Sequence, residues 1–250
     1  MKRSIQRIIA LTKRNLLEII RDPLSLVFLM AMPLAMEILF YFIFHNLTPQ
    51  FEMKYLAPSI VVFSQAFLTL FTGLLIALDR SSSFLTRLYV SSAKAYEFIL
   101  SYLISLLPIT IIQSITFFLV GGIIDTSIFS VTMIWGILLS ILTSLCFISL
   151  GILLGSVCNE KSIGGVASIV IAGQSVLSGM WFPQEGLGKG MITFMKCLPF
   201  KNATDLMQNT LNGIANVFDD FVLPLIVLTA YTIVIFTSAI LVFRYKMKSK

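Results

Sequence analysis

The chain has 250 residues, of which 57% are hydrophobic and only 12% charged, against roughly a quarter charged in an ordinary soluble domain. That balance excludes a water-soluble globular fold and directs attention to apolar stretches of about 20 residues, the length that crosses a bilayer as a helix. The 18 Lys and Arg against 12 Asp and Glu are better explained by membrane topology than by nucleic acid.

Residues 1–23 read as an amphipathic interfacial helix: Ile5, Ile8, Ile9, Leu16, Ile19 and Ile20 recur at helical spacing, while Lys2, Arg3, Arg7, Lys13, Arg14 and Glu18 take other faces. Asp22 followed by Pro23 stops that helix and starts the next, because the residue before proline avoids the helical region and proline suits a first turn. Apolar runs at 24–44, 57–78, 98–124, 128–158, 162–182 and 221–243 predict six transmembrane helices in one all-α membrane domain. The first lacks a small-residue cleavage site and is read as a retained helix rather than a signal peptide. The loop 79–97 sets Phe84, Leu85, Leu88, Tyr89 and Val90 among serines and basic residues, as either a surface-lying linker or a docking helix for a partner. Residues 183–220 form the longest non-spanning stretch; its apolar pieces are too short to cross and fit a re-entrant segment packed against protein.

An even number of spans puts both termini on one side of the membrane. With six, 14 basic residues fall on the side of the termini and four on the other, which makes the termini cytoplasmic. The cysteines, Cys146, Cys158 and Cys197, offer no pair in a disulfide-permissive compartment.

Catalytic signatures are missing. There is no phosphate-binding Gly-x-x-x-x-Gly-Lys-Ser/Thr, no Gly-x-Ser-x-Gly elbow, one histidine, His45, and no metal-ligand spacing. No catalytic, cofactor or metal residue is assigned, the chain is not expected to be an enzyme, and any ATP energy must come from a partner. Glu37 is the one acid well inside a span, where insertion costs about 2.5 to 3.5 kcal/mol; it either lines a substrate path or sits solvated or paired near the outer interface. Gln65, Thr69 and Thr72 share a helical face in the second span, and Gln174 and Ser178 lie among small residues in the fifth; both sets suit either a cavity or close packing. Gly151 and Gly155 read as a packing motif, and Asn202-Ala203-Thr204 matches a glycosylation sequon.

The order of parts resembles the permease subunit of type-two ATP-binding-cassette exporters. The resemblance rests on Arg21-Asp22-Pro23 leading to Pro33, on Asp79-Arg80 with Phe84-Leu85-Thr86-Arg87-Leu88 and Tyr96-Glu97, and on Ser178-Gly179-Met180-Trp181-Phe182-Pro183 with Leu198-Pro199-Phe200. It implies two permease halves, a homodimer favoured over a heterodimer, driven by separate cytoplasmic ATPase subunits that hold the ATP and magnesium. By the same resemblance Arg80, Phe84, Arg87 and Leu88 belong to a cytoplasmic coupling helix, and Arg14 and Arg21 of the interfacial helix also meet the ATPase. Spans two and five would line the substrate route through Gln65, Thr69, Thr72, Gln174 and Ser178, while Trp181, Phe182 and Pro199 would cap an external gate. Where the family often has a glycine and acids after the Asp-Arg pair, this chain has Ser81, Ser82 and Ser83.

The neutral pathway candidates favour an amphipathic or hydrophobic cargo (drug, peptide or lipid-like), with polysaccharide as the same-class alternative, and the resemblance implies export across a bacterial cytoplasmic membrane. An ATPase-independent channel or carrier and a peptide sensor or immunity protein are the rival classes. Membrane lipid is an expected partner; nucleic acid is not.

Overall fold

A computed structural model describes residues 2–82, 95–182 and 186–248. Among them every regular element is helical. The elements are α1 (Lys2–Arg21), α2 (Pro23–Phe44), α3 (Met53–Ser81), α4 (Ala95–Ile124), α5 (Val131–Val157), α6 (Glu160–Leu177), α7 (Lys189–Cys197), α8 (Pro199–Asn212) and α9 (Leu223–Lys248).

Among the described residues, five helices are long and apolar enough to cross a membrane: α2, α3, α4, α5 and the run Val217–Tyr245 that includes α9. The stretch expected as a span at 162–182 is α6, 18 residues long. It opens with Glu160 and Lys161 and stops at Leu177, so at 1.5 Å per residue it reaches about 27 Å, slightly under the hydrocarbon thickness. The expected span from 128 begins instead at Val131, because Asp125 caps a short turn over Thr126–Ile128 before the helix starts.

The central helix is α3. Its most apolar window is 89% buried, whereas that of α2 is 17% buried and that of the α9 crossing 11%. Lipid is the natural solvent for the apolar side chains left on those outer helices, among them Leu39 and Phe42 on α2 and Ile233 and Val234 on α9. Against α3 lies α5, held close by glycines: a Cβ on Gly155 would stand 2.6 Å from the Gly73 carbonyl oxygen, and one on Gly151 2.7 Å from that of Thr69. Small residues let helix backbones approach in lipid, where dispersion contacts replace the hydrophobic drive.

Helix α1 ends at the Asp22-Pro23 corner. The Asp22 carboxylate accepts hydrogen bonds from the Leu24 and Ser25 amides at 3.3 and 3.1 Å and caps α2. Ile5, Ile9 and Ile20 of α1 are exposed.

Prolines interrupt the hydrogen-bond ladder in four of these helices, at Pro33, Pro58, Pro108 and Pro224, and at three of them a carboxamide mends it. A proline cannot donate to the carbonyl four residues earlier. Pro33 leaves Leu29 in this state, next to a wide turn over Val27–Ala31, and the buried Gln113 of α4 donates to the Leu29 oxygen at 2.8 Å. Pro58 frees the Lys54 carbonyl, which accepts from Asn212 at 3.0 Å. Pro224 stands four residues after Asp220, whose carbonyl accepts from Asn209, also at 3.0 Å. Two of the three repairs come from α8, which thereby joins the first turns of α3 and α9.

Candidate functional site

Charged residues gather where α1 crosses the end of α3 and the start of α4. Arg14 donates to both carboxylate oxygens of Asp79, at 2.7 Å for the longer bond, and the Tyr102 hydroxyl donates to the same carboxylate at 2.6 Å. Asp79 is 2% exposed, so its charge depends on these partners: a desolvated carboxylate is tolerated only when paired and hydrogen-bonded. Burial opposes the charge on Arg14, but Asp79 and Glu18 outweigh it and raise the guanidinium pKa. Glu18, 2.8 Å from Arg14 on the same face, has its pKa raised by burial against the pull of Arg14. About 10 Å along α1 from Arg14, by helical rise, Arg7 pairs with Glu97 at 3.3 Å and Ser4 donates to the same carboxylate. Asn15 completes the contact, donating to Ser101 at 3.5 Å.

Asp79 and Glu97 flank the loop whose residues 83–94 lie outside the described residues. Helix α1 therefore holds both roots of that loop. The expected coupling residues Phe84, Arg87 and Leu88 fall within 83–94 and are not described. Arg80, beside Asp79, turns the other way: its guanidinium donates to the carbonyls of Gly155, Ser156 and Cys158 at 2.7, 2.6 and 3.1 Å. It caps the C-terminus of α5, where unpaired carbonyls and the helix dipole favour a cation. Arg21 is exposed in the last turn of α1.

The pathway candidates are buried in the single chain. Gln65 donates to the Ser140 carbonyl at 3.0 Å and Thr69 to that of Phe147 at 2.9 Å, both on α5; Thr72 bonds within α3 to Leu68. Gln174 reaches Thr204 of α8 at 3.2 Å, and Ser178 accepts from the Met180 amide at 3.3 Å. All five are thus buried and engaged within the single chain, and they share no open face. Glu37 is fully buried, with one carboxylate oxygen beside Gly121 of α4 and neither oxygen hydrogen-bonded among the described residues.

At the opposite end from α1, Trp181 packs edge-on to Phe40 with ring centres 4.8 Å apart, and near Phe51 and Phe63 at 6.2 and 6.0 Å. Its indole N–H donates to Ser175 at 2.7 Å. Phe182 leaves its ring half exposed while its carbonyl accepts from Gln50 at 2.7 Å. Pro199 is buried in the first turn of α8. Of the three gate candidates, Trp181 closes an aromatic cluster, while no hydrogen bond or ring contact among the described residues joins Pro199 to Trp181 or Phe182. Beyond Pro199, Lys201 is 1% exposed and pairs with Asp205 at 2.9 Å. Asn202 is buried and donates to the carbonyls of Lys196 and Leu198, which removes it as a glycosylation acceptor.

Sequence reasoning missed the α1 clamp because Arg14 and Asp79 are 65 residues apart. A buried acid at the end of an apolar helix was the available signal. The proline repairs were also missed, although each proline names the carbonyl that needs a donor.

The sequence model of the ABC-2 type transporter family matches residues 6–212. No curated protein matches the chain at a significant level.

Proposed function

The chain belongs to the ABC-2 type transporter family, and from that premise we propose that it is the permease subunit of an ATP-driven exporter for an amphipathic or hydrophobic cargo. The observation that carries the proposal is the clamp of α1 on Asp79 and Glu97, the two roots of loop 83–94. A motor subunit pressing on that loop or on α1 would move α1, α3 and α4 together.

In this reading α6 is a sixth crossing. It is supported by contacts at its two ends: Glu160 accepts from Ser81 near α1, whereas Trp181, just past its C-terminus, meets Phe51 at the other end. Both termini then lie on the cytoplasmic side, in the cytoplasmic membrane of a bacterium. A second copy of the chain packs on the outward face of α6, where Gly165, Ser168 and Ala172 are exposed and small side chains allow close approach. The cargo route forms between the copies, and Trp181, Phe182 and Pro199 lie at its outer end.

ATP binding to the partner does work only by favouring one permease arrangement over another. The ATPase closes, the loops at Asp79 and Glu97 are displaced, and α3 carries the displacement across the membrane. Arg80, gripping α5, makes α5 follow. Because α8 is bonded to the first turns of α3 and α9, the outer end opens as a unit. The Arg87→Glu variant tests the reading: purified with its ATPase, it should bind the motor weakly or hydrolyse ATP without cargo movement, and normal cargo export would remove the coupling role from this loop.

A further inference from the structure

Below α1, a groove of about 170 Å³ runs between the Asp22 corner and α3, walled by Phe71, Leu74, Leu75 and Leu78. It shares Glu18 and Asp22 with a wider cleft of about 790 Å³ along α1, whose rim carries Lys13 and Arg21. The two spaces join a polar surface to an apolar wall on a membrane-crossing helix. A cytoplasmic protein reaches the first and not the second, whereas a lipid occupies both.

Charge decides which lipid. Both shared acids are already engaged: Glu18 pairs with Arg14 at 2.8 Å, and Asp22 accepts from the Ser25 hydroxyl at 2.5 Å as well as capping α2. Arg14 is committed to Asp79. Lys13 and Arg21 are exposed and make no ion pair among the described residues, so the rim presents two cations at headgroup depth. The apolar wall is fixed in advance, since Phe71 lies 6.5 Å from the Phe28 ring of α2.

We propose that this junction of α1, α2 and α3 is a binding site for one anionic phospholipid of the adjoining leaflet, its phosphate held by Lys13 and Arg21 and its acyl chain lying along Phe71, Leu74, Leu75 and Leu78. The bound lipid wedges the α1–α2 corner beside the Arg14–Asp79 clamp and so sets how firmly α1 is seated. The site needs only a membrane and does not depend on the cargo or on a motor.

The test is native mass spectrometry of the purified full chain, titrated in detergent with phosphatidylglycerol and with phosphatidylcholine of the same acyl chains. The site predicts one retained phosphatidylglycerol and a preference of roughly tenfold or more over phosphatidylcholine, with about fivefold lost for each cation removed in Lys13→Gln and Arg21→Gln. Both residues are exposed, so these variants should melt like the parent without added lipid. Leu78→Trp, which fills the groove, should weaken retention of both lipids. Equal retention of the two lipids, unchanged phosphatidylglycerol binding in the double variant, or displacement of the lipid by equimolar glycerol phosphate would overturn the proposal.

Discussion

The two ends of the helical bundle are held by different chemistry. At the α1 end, charges do the holding: Arg14 on Asp79, Arg7 on Glu97 and Arg80 on the carbonyls that end α5. At the other end, amides and rings do it: Gln208, Asn209 and Asn212 of α8 on α3 and the start of α9, with Trp181 among Phe40, Phe51 and Phe63. Charges at a membrane surface keep their partners' identity and position strictly defined, since a misplaced one is left desolvated. Amides that mend proline gaps instead tie a short helix to longer ones without any net charge. In the proposed exporter the first end would take up the push of a partner and the second would open and close.

The largest expected effect breaks the ionic end. Arg14→Ala leaves the buried Asp79 with only Tyr102, and should lower stability in detergent by about 3 kcal/mol; adding Asp79→Ala should restore a substantial part. Thermal unfolding of the two variants and the double variant gives the coupling directly, and strict additivity would show that the pair does not work as a clamp.

Next comes the amide end. Asn209→Ala exposes the Asp220 carbonyl to an unmet hydrogen bond and should cost about 1 to 2 kcal/mol. Pro224→Ala supplies a backbone N–H to the same oxygen, so the double variant should regain most of that loss. If Pro224→Ala gives no rescue in the same melting assay, Asn209 does not act as a substitute donor.

A smaller effect sits at the corner between α1 and α2. The Ser25 hydroxyl, opposed by burial and helped by the Ser25 and Leu24 amides, holds the Asp22 carboxyl below its ordinary 3.8. A lowered folded value means that the stabilisation is fully present above the ordinary value and is lost as pH falls through the lowered one. Melting curves taken down through this acid range should therefore lose a component that Asp22→Asn, which keeps an acceptor but does not titrate, lacks. Asp22→Ala should cost about 1 kcal/mol at neutral pH.

The smallest change belongs to the exposed pair Glu52–Lys54, 3.0 Å apart at the amide end. Glu52→Gln should leave the melting temperature within experimental error, because such surface pairs contribute little. A clear loss there would blur the division between the two ends.

The sequence makes the membrane crossings legible through length and hydropathy, and the Asp22-Pro23 corner through the backbone demands of proline. The helical spacing of its isoleucines is also legible, and Ile5, Ile9 and Ile20 are exposed on α1. What escaped it are contacts set by packing between distant segments. Thr69 suits either a cavity or close packing when read in sequence, because a hydroxyl in an apolar helix names no partner; in the fold it donates to the Phe147 carbonyl. Asp79 and Arg80 are adjacent in the chain yet serve different neighbours, α1 and α5, which a linear motif cannot express. Helix α6 is not among the helices long and apolar enough to cross, since its polar and small residues lower its hydropathy.

The most direct test of the account is to purify the tagged chain from its native host in mild detergent, as parent and as Arg14→Ala, and to measure the accompanying ATP-binding-cassette subunit and its vanadate-sensitive hydrolysis. The account predicts that the parent brings down such a subunit with active hydrolysis, and that Arg14→Ala, still monodisperse, loses the subunit or its cargo-stimulated activity. A parent chain that repeatedly purifies without any ATPase, or an Arg14→Ala variant coupled as well as the parent, would contradict it.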